Sequence, residues 1–151
     1  MLFVVFTICV VLSSVYSASN ATVMFSASLD EDASFSVNQM VKFPNVVVNS
    51  GNGYDSSTGI FTAPIAGYYV FHVHGLAYRN AGFWFRIYHN DVPRASAHGS
   101  SSDSWAMGGN TVGLKVKKYD RIYVRNVNAA AKLRSDGEQH YASFTGYKIG
   151  E

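Results

Sequence analysis

The chain is nearly free of cysteine: its 151 residues include one, Cys9. Cys9 sits in an N-terminal segment that is expected to be removed, so the mature chain has no disulfide to staple it. That excludes the small disulfide-bonded scaffold common among secreted domains, which leaves a large core or self-association as sources of stability. A basic tract is missing as well. The net charge is +2, with acids and bases spread along the chain, and the densest cluster, "KVKKYDR", reads as a solvated turn. Nucleic acid is therefore not an expected partner. Heptads, Gly-X-Y repeats and low-complexity tails are all absent from the sequence. Beyond residue 22 no stretch has the 3.6-residue period of an amphipathic helix.

Long apolar runs are scarce too. The one at the start, Leu2 to Leu12, is shorter than the ~20 residues that span a bilayer. It is followed by small residues, with Val15 and Ser17 suited to a signal-peptidase site before Ala18. Its leading end carries no Lys or Arg, which is unusual for a signal peptide. The expected organisation is a signal peptide at 1–17, a short segment at 18–21 and one domain at 22–151, secreted and without a membrane span. Asn20-Ala21-Thr22 is a sequon, which makes Asn20 a candidate glycosylation site.

What the sequence does have is alternation. In "FWFRIY" Phe83, Phe85 and Ile87 share one face, and Trp84, Arg86 and Tyr88 the other. Val112, Leu114 and Val116 alternate with Thr111, Gly113 and Lys115; Ile122 and Val124 alternate with Arg121, Tyr123 and Arg125. Each pattern predicts a half-buried strand. Turn residues separate the strands in "NSGNG", "DSSTG", "HNDVP" and "SDG". The expected class is all-β, a sandwich or barrel. Hydrophobic residues make up 48% and aromatics 15% of the chain, enough for a filled core with surplus. Aromatics on faces that should be polar (Trp84, Tyr88, Tyr123, Tyr147) predict contact with the second sheet or with another copy of the chain.

From Phe43 onward the residues Phe43, Asn49, Tyr54, Phe61, Gly67, Tyr69 and Phe71 are separated by five, four, six, five, one and one residues. This spacing resembles the signature of the complement C1q globular-head family. "LKVKKYDRIYV" and "SFTGYKI" are similar to that family's late strands, so the likeness covers roughly 22–150. The resemblance implies a ten-stranded jelly roll, like that of the tumour necrosis factor family, assembled as a homotrimer that binds other molecules and is not an enzyme. One position departs: Tyr119 stands before Asp120 where the family usually has glycine. The signature residues themselves read as core and turn positions, so function is sought in the loops.

With consecutive strands antiparallel, the connections 77–82, 99–104 and 128–140 fall at one end, and the tight turns "HND" and "KKYD" at the other. The first set supplies the candidate ligand-binding residues Arg79, Asn80, Asp103, Arg134, Asp136, Glu138 and His140, edged by Trp84, Trp105 and Tyr141. Rings beside amides, carboxylates and Arg suit sugars, and Arg suits a sialic-acid carboxylate or a bacterial phosphate. The leading expectation is a lectin-like protein that recognises carbohydrate or microbial surface patterns in innate immunity. The alternative is a matrix or receptor-binding trimer acting through protein–protein contacts. A plasma metal carrier using the five histidines is a third reading. Solvated polar loops need no ligand, so the group counts for more than any one member.

No cofactor is required, although calcium near the trimer axis is compatible with the resemblance. Asp30 to Asp32 lack the spacing of a calcium loop and read as solvated. His72 and His74 share a strand face without an evident third metal ligand, and read as interface residues. Catalysis is not expected. The mature chain has no thiol, its serines lack a nucleophile elbow, and Asp136 with Glu138 gives no buried acid.

Overall fold

Period-two alternation becomes burial. Tyr69, Phe71 and Val73 are fully buried, whereas Tyr68, Val70, His72 and His74 between and beside them face outward. A computed structural model of the protein describes residues 22–127 and 130–151. The expected signal peptide and Asn20 lie outside the described residues. The strands are β1 (Met24–Ser28), β2 (Ala33–Phe35), β3 (Asn45–Ser50), β4 (Tyr54–Asp55), β5 (Ile60–Thr62), β6 (Gly67–Ala77), β7 (Ala81–His89), β8 (Val92–Ser101), β9 (Ala106–Val116), β10 (Arg121–Asn126), β11 (Ala131–Leu133) and β12 (Ser143–Gly150). They form two antiparallel sheets. The larger has the order β2-β11-β6-β12-β1-β3, with β9 also paired along β6; the smaller has the order β4-β5-β10-β7-β8.

This is the all-β sandwich expected, with twelve β segments among the described residues where ten strands were predicted. The difference lies in short pieces. β11 is one of them, and it falls inside the stretch 128–140 that was read as a loop. Ala131 and Leu133 are buried on either side of exposed Lys132, and the segment pairs with β2 and with Ala77. Alanine carries little strand preference, so a run of alanines signals nothing locally, and tertiary pairing decides.

The core is a stack of rings between the sheets. Phe25 of β1 stacks on Tyr54 of β4 at 4.7 Å and on Phe61 of β5 at 5.0 Å, and meets Phe144 of β12 edge-on at 4.9 Å. Phe71 packs against Phe61 at 5.6 Å and Tyr69 at 6.0 Å. The spaced signature now has a physical account. The Asn49 side chain donates to the Tyr54 carbonyl at 2.8 Å and accepts from its amide at 3.0 Å. The Tyr54 hydroxyl in turn donates to the Phe43 carbonyl and accepts from its amide, each at 3.2 Å. Burial pushes the Tyr54 phenol up to about 12, so it serves as a neutral clamp. Gly67 lets β6 enter past the end of β12, because a Cβ there would strike the Gly150 carbonyl and the Lys148 side chain. Gly59 takes φ +78°, and a Cβ there would lie 2.7 Å from the Val41 carbonyl.

At one end the β7–β8 and β9–β10 turns are locked together by Asp120. Its carboxylate accepts from His89 Nε2 at 2.7 Å, Asn90 Nδ2 at 2.6 Å and the Lys117 amide at 2.8 Å. Partial burial works against the charged form, but these bonds outweigh it and hold the carboxyl below its usual range. A depressed carboxyl pKa adds stability above the unfolded value of about 3.9, and that stability is lost as pH falls through the folded value. Asp120→Ala is therefore expected to cost about 2 kcal/mol at neutral pH, the gap to the parent narrowing below about pH 4. Urea melts across that range measure it, and a gap independent of pH would contradict the assignment. Tyr119 beside it has φ +72° and is 70% exposed. A left-handed position explains why glycine suits this turn better.

The outward aromatics need a correction. On the smaller sheet Tyr88 and Tyr123 stack on each other at 5.4 Å, and Arg125 lies over both, at 5.6 and 5.1 Å. Tyr123 is fully buried by its own chain, so neither ring by itself calls for a partner copy. Tyr147 lies on the larger sheet, stacked on His72 at 5.5 Å.

Candidate functional site

Strand pairing brings the three polar connections to one end. Ala77 at the end of β6 pairs with both Ala106 and Leu133, and Ala81 at the start of β7 pairs with Ser101. The candidates gather into three groups there. In the first, the Arg79 guanidinium lies over the Trp105 ring at 5.6 Å, and Trp105 is 51% exposed. Trp105 is therefore no cap on the core. Asn80 makes the turn between β6 and β7 with φ +55°, and Asp103 is exposed in the β8–β9 connection.

The second group is closed on itself. Arg134 donates to Asp32 Oδ1 at 3.1 Å and to Asp136 Oδ2 at 3.2 Å. Asp32 also accepts from the Ser135 amide at 3.0 Å; Asp136 Oδ1 accepts from the Glu138 and Gln139 amides at 3.2 and 2.7 Å. Bonding to Asp32 pushes the Arg134 guanidinium above its ordinary value and keeps it charged. Arg134 and Asp136 thus have partners within the chain while each side chain stays about a third exposed, at 34% and 35%. Both serve first to hold the connection after β11 against the β1–β2 turn. Asp32, read from sequence as solvated, is the anchor. Glu138 is exposed and contributes its amide.

The third group is His140, whose Nδ1 lies 3.3 Å from Ser28 Oγ, while Asn45 Nδ2 donates to the same oxygen at 3.1 Å. Ser28 is buried, out of reach of a substrate, so the pair is not set up as nucleophile and base. Tyr141 beside it is half-buried.

The other candidate for chemistry is the histidine pair. His72 Nδ1 lies 2.8 Å from Thr111 Oγ1 and its Nε2 3.2 Å from the Tyr147 hydroxyl, so both nitrogens have protein partners. Burial first, and His74 second, push its pKa down, which favours the neutral ring. Among the described residues no group of three or more His, Cys, Asp or Glu could hold a metal. No helix among them is long and apolar enough to cross a membrane.

Comparison with known proteins now has a geometry to meet. The C1q domain family model matches residues 24–149. Complement C1q tumor necrosis factor-related protein 6 of Mus musculus is 30% identical over 111 residues, which is 71% of this chain and 41% of that protein. The chain thus spans about two fifths of the length of that curated relative. Among solved structures, the globular domain of zebrafish complement 1qA protein has a TM-score of 0.69 at 19% identity, covering 85% of this chain and 97% of that one. Eiger TNF from S. frugiperda has a TM-score of 0.70 at 12% identity, covering 87% and 94%; murine APRIL has 0.66 at 15%, covering 85% and 99%. These likenesses are of fold, a jelly-roll sandwich of the C1q/TNF type. The chain belongs to the C1q domain family.

Proposed function

We propose that the chain is a secreted trimer that acts through protein–protein contacts made at its polar loop end. The observation that carries this reading is the outer face of the larger sheet. Three neighbouring rows cross it: Thr111-His72-Thr145-Ser26-Val48, Gly113-Val70-Tyr147-Met24-Ser50 and Gly109-His74-Ser143-Ser28-Asn45. None of these residues is Asp, Glu, Lys or Arg. Lys115, opposite Tyr68, begins the next row, so the neutral patch is the centre of the face, and a neutral centre with its own hydrogen bonds suits a subunit interface. The Ser26 and Thr145 hydroxyls lie 3.0 Å apart within it.

A trimer built on that face would present three copies of the loop end, so weak single contacts would add up to useful avidity. At each copy the exposed pair is Trp105 with Arg79, the residue types that dominate protein interfaces. Arg134, Asp32 and Asp136 are satisfied by one another, which takes one guanidinium and two carboxylates away from a sugar and favours a protein partner over a glycan. The glycan reading rests on Trp105 as a stacking platform for a sugar face, with Arg79 over its ring and exposed Asp103 two residues away.

Binding of the secreted protein to cell surfaces separates the two. Protease treatment of the cells is expected to abolish binding, free sugars to leave it intact, and Trp105→Ala to weaken it by at least about tenfold. The variant's melting temperature is expected to stay within about 1 °C of the parent. Release by free sugar from protease-treated cells would replace the protein reading with the lectin one.

A further inference from the structure

The outer face of the smaller sheet belongs neither to the loop end nor to the neutral face. On it β7 presents Trp84, Arg86 and Tyr88, and β10 presents Arg121, Tyr123 and Arg125. The register sets Arg125 directly opposite Arg86 and Tyr123 opposite Tyr88. Every guanidinium lies on a ring. Arg86 is over Trp84 at 5.7 Å, Arg121 over Tyr123 at 5.8 Å, and Arg125 over the two tyrosines as described.

Like charges directly opposite on neighbouring strands destabilise a sheet unless something neutralises them. No carboxylate does so here. The ion pairs among the described residues join His89 to Asp120 and Arg134 to Asp32 and Asp136. Asp91, at the edge of this face, takes the Tyr123 hydroxyl instead. The rings lie under the cations without using up their N–H donors, which make no hydrogen bond or ion pair among the described residues and can take an anion. Guanidinium is weakly hydrated and its fork matches an oxyanion.

Spacing favours a long ligand over a small ion. Arg86 and Arg125 lie on strands ~4.8 Å apart, and Arg121 lies about 13 Å from Arg125 along β10 at ~3.3 Å per residue. A linear polyanion running along β10 meets all three, whereas a lone sulfate meets at most two. Trp84, 41% exposed next to this row, offers its ring to a sugar.

We propose that this face binds a sulfated polysaccharide, with Arg86, Arg125 and Arg121 on the sulfates and Trp84 against the chain. The bound anions neutralise the facing arginines, so the ligand stabilises the sheet as well as docking on it.

Immobilised heparin is the probe, with the full secreted chain as analyte and desulfated heparin and polyglutamate as comparison surfaces. The parent is expected to bind heparin, to be released as salt rises, and to ignore desulfated heparin. Arg86→Gln with Arg125→Gln is expected to weaken binding by at least about tenfold, since two charge-assisted contacts are lost. Relief of the like-charge pair keeps the double variant's melting temperature at or above the parent's, which separates lost binding from lost folding. Arg134→Gln, at the loop end, is expected to bind as the parent does. Absence of heparin binding would overturn the proposal. So would binding that survives in the double variant but disappears in Lys117→Gln with Lys118→Gln, or equal binding to polyglutamate, which would assign the face to an acidic polypeptide.

Discussion

Cutting Phe25 to alanine is expected to lower the unfolding free energy by about 4 kcal/mol, in the middle of the range for buried rings. The ring is fully buried and bridges the sheets, touching Tyr54 and Phe61 on one side and Phe144 on the other. The residues around it are themselves large and interlocked. Phe71 and Phe144 lie 6.3 Å apart, and Tyr54 is held by Asn49 and Phe43, so the site cannot collapse to fill the space. Against a typical stability of about 5–15 kcal/mol, the loss removes a large share of the total. Denaturant melts at one fixed protomer concentration read the effect, since assembly makes stability depend on concentration. A loss under about 1 kcal/mol would mean that the ring stack is not what joins the two sheets.

Placing a charge at the centre of the neutral face is expected to act on assembly instead. Thr145 sits between His72 and Ser26 in the middle row. Thr145→Asp would bring a carboxylate into each subunit of a buried contact, where an unpaired charge costs about 3 kcal/mol or more. That corresponds to at least a roughly hundredfold weaker association. The matched control is Thr62→Asp, at an exposed position on β5 of the other sheet, which is expected to change nothing. A Thr145→Asp protein that assembles as the parent does would remove this face from the interface.

Much of the architecture could be read from alternation, because a strand's two faces are a local property. Phe83, Phe85 and Ile87 are buried as their spacing requires, and β6 to β10 run within a few residues of their expected bounds. Gly59 and Gly67 were recognisable from turn chemistry and strand entry. What escaped depends on which strands lie side by side. Asp32 and Arg134 are far apart in the chain, and only the β2–β11 pairing brings them within 3.1 Å. That contact gives Arg134, a candidate ligand-binding residue, the added task of a tether. The cover over Tyr123 is similar. Each strand showed its Arg and aromatic residues on one face, but their interleaving follows from the β7–β10 register, which no single strand encodes. The period-two pattern was the available signal, and applying it to both strands together would have found the arginine row.

Oligomeric state tests the central claim most directly. Sedimentation equilibrium of the purified protein through the micromolar range, compared with its mass by mass spectrometry, is expected to give a single species of three chains. A folded monomer that persists across that range would contradict the account, because the neutral face would then stand open to water.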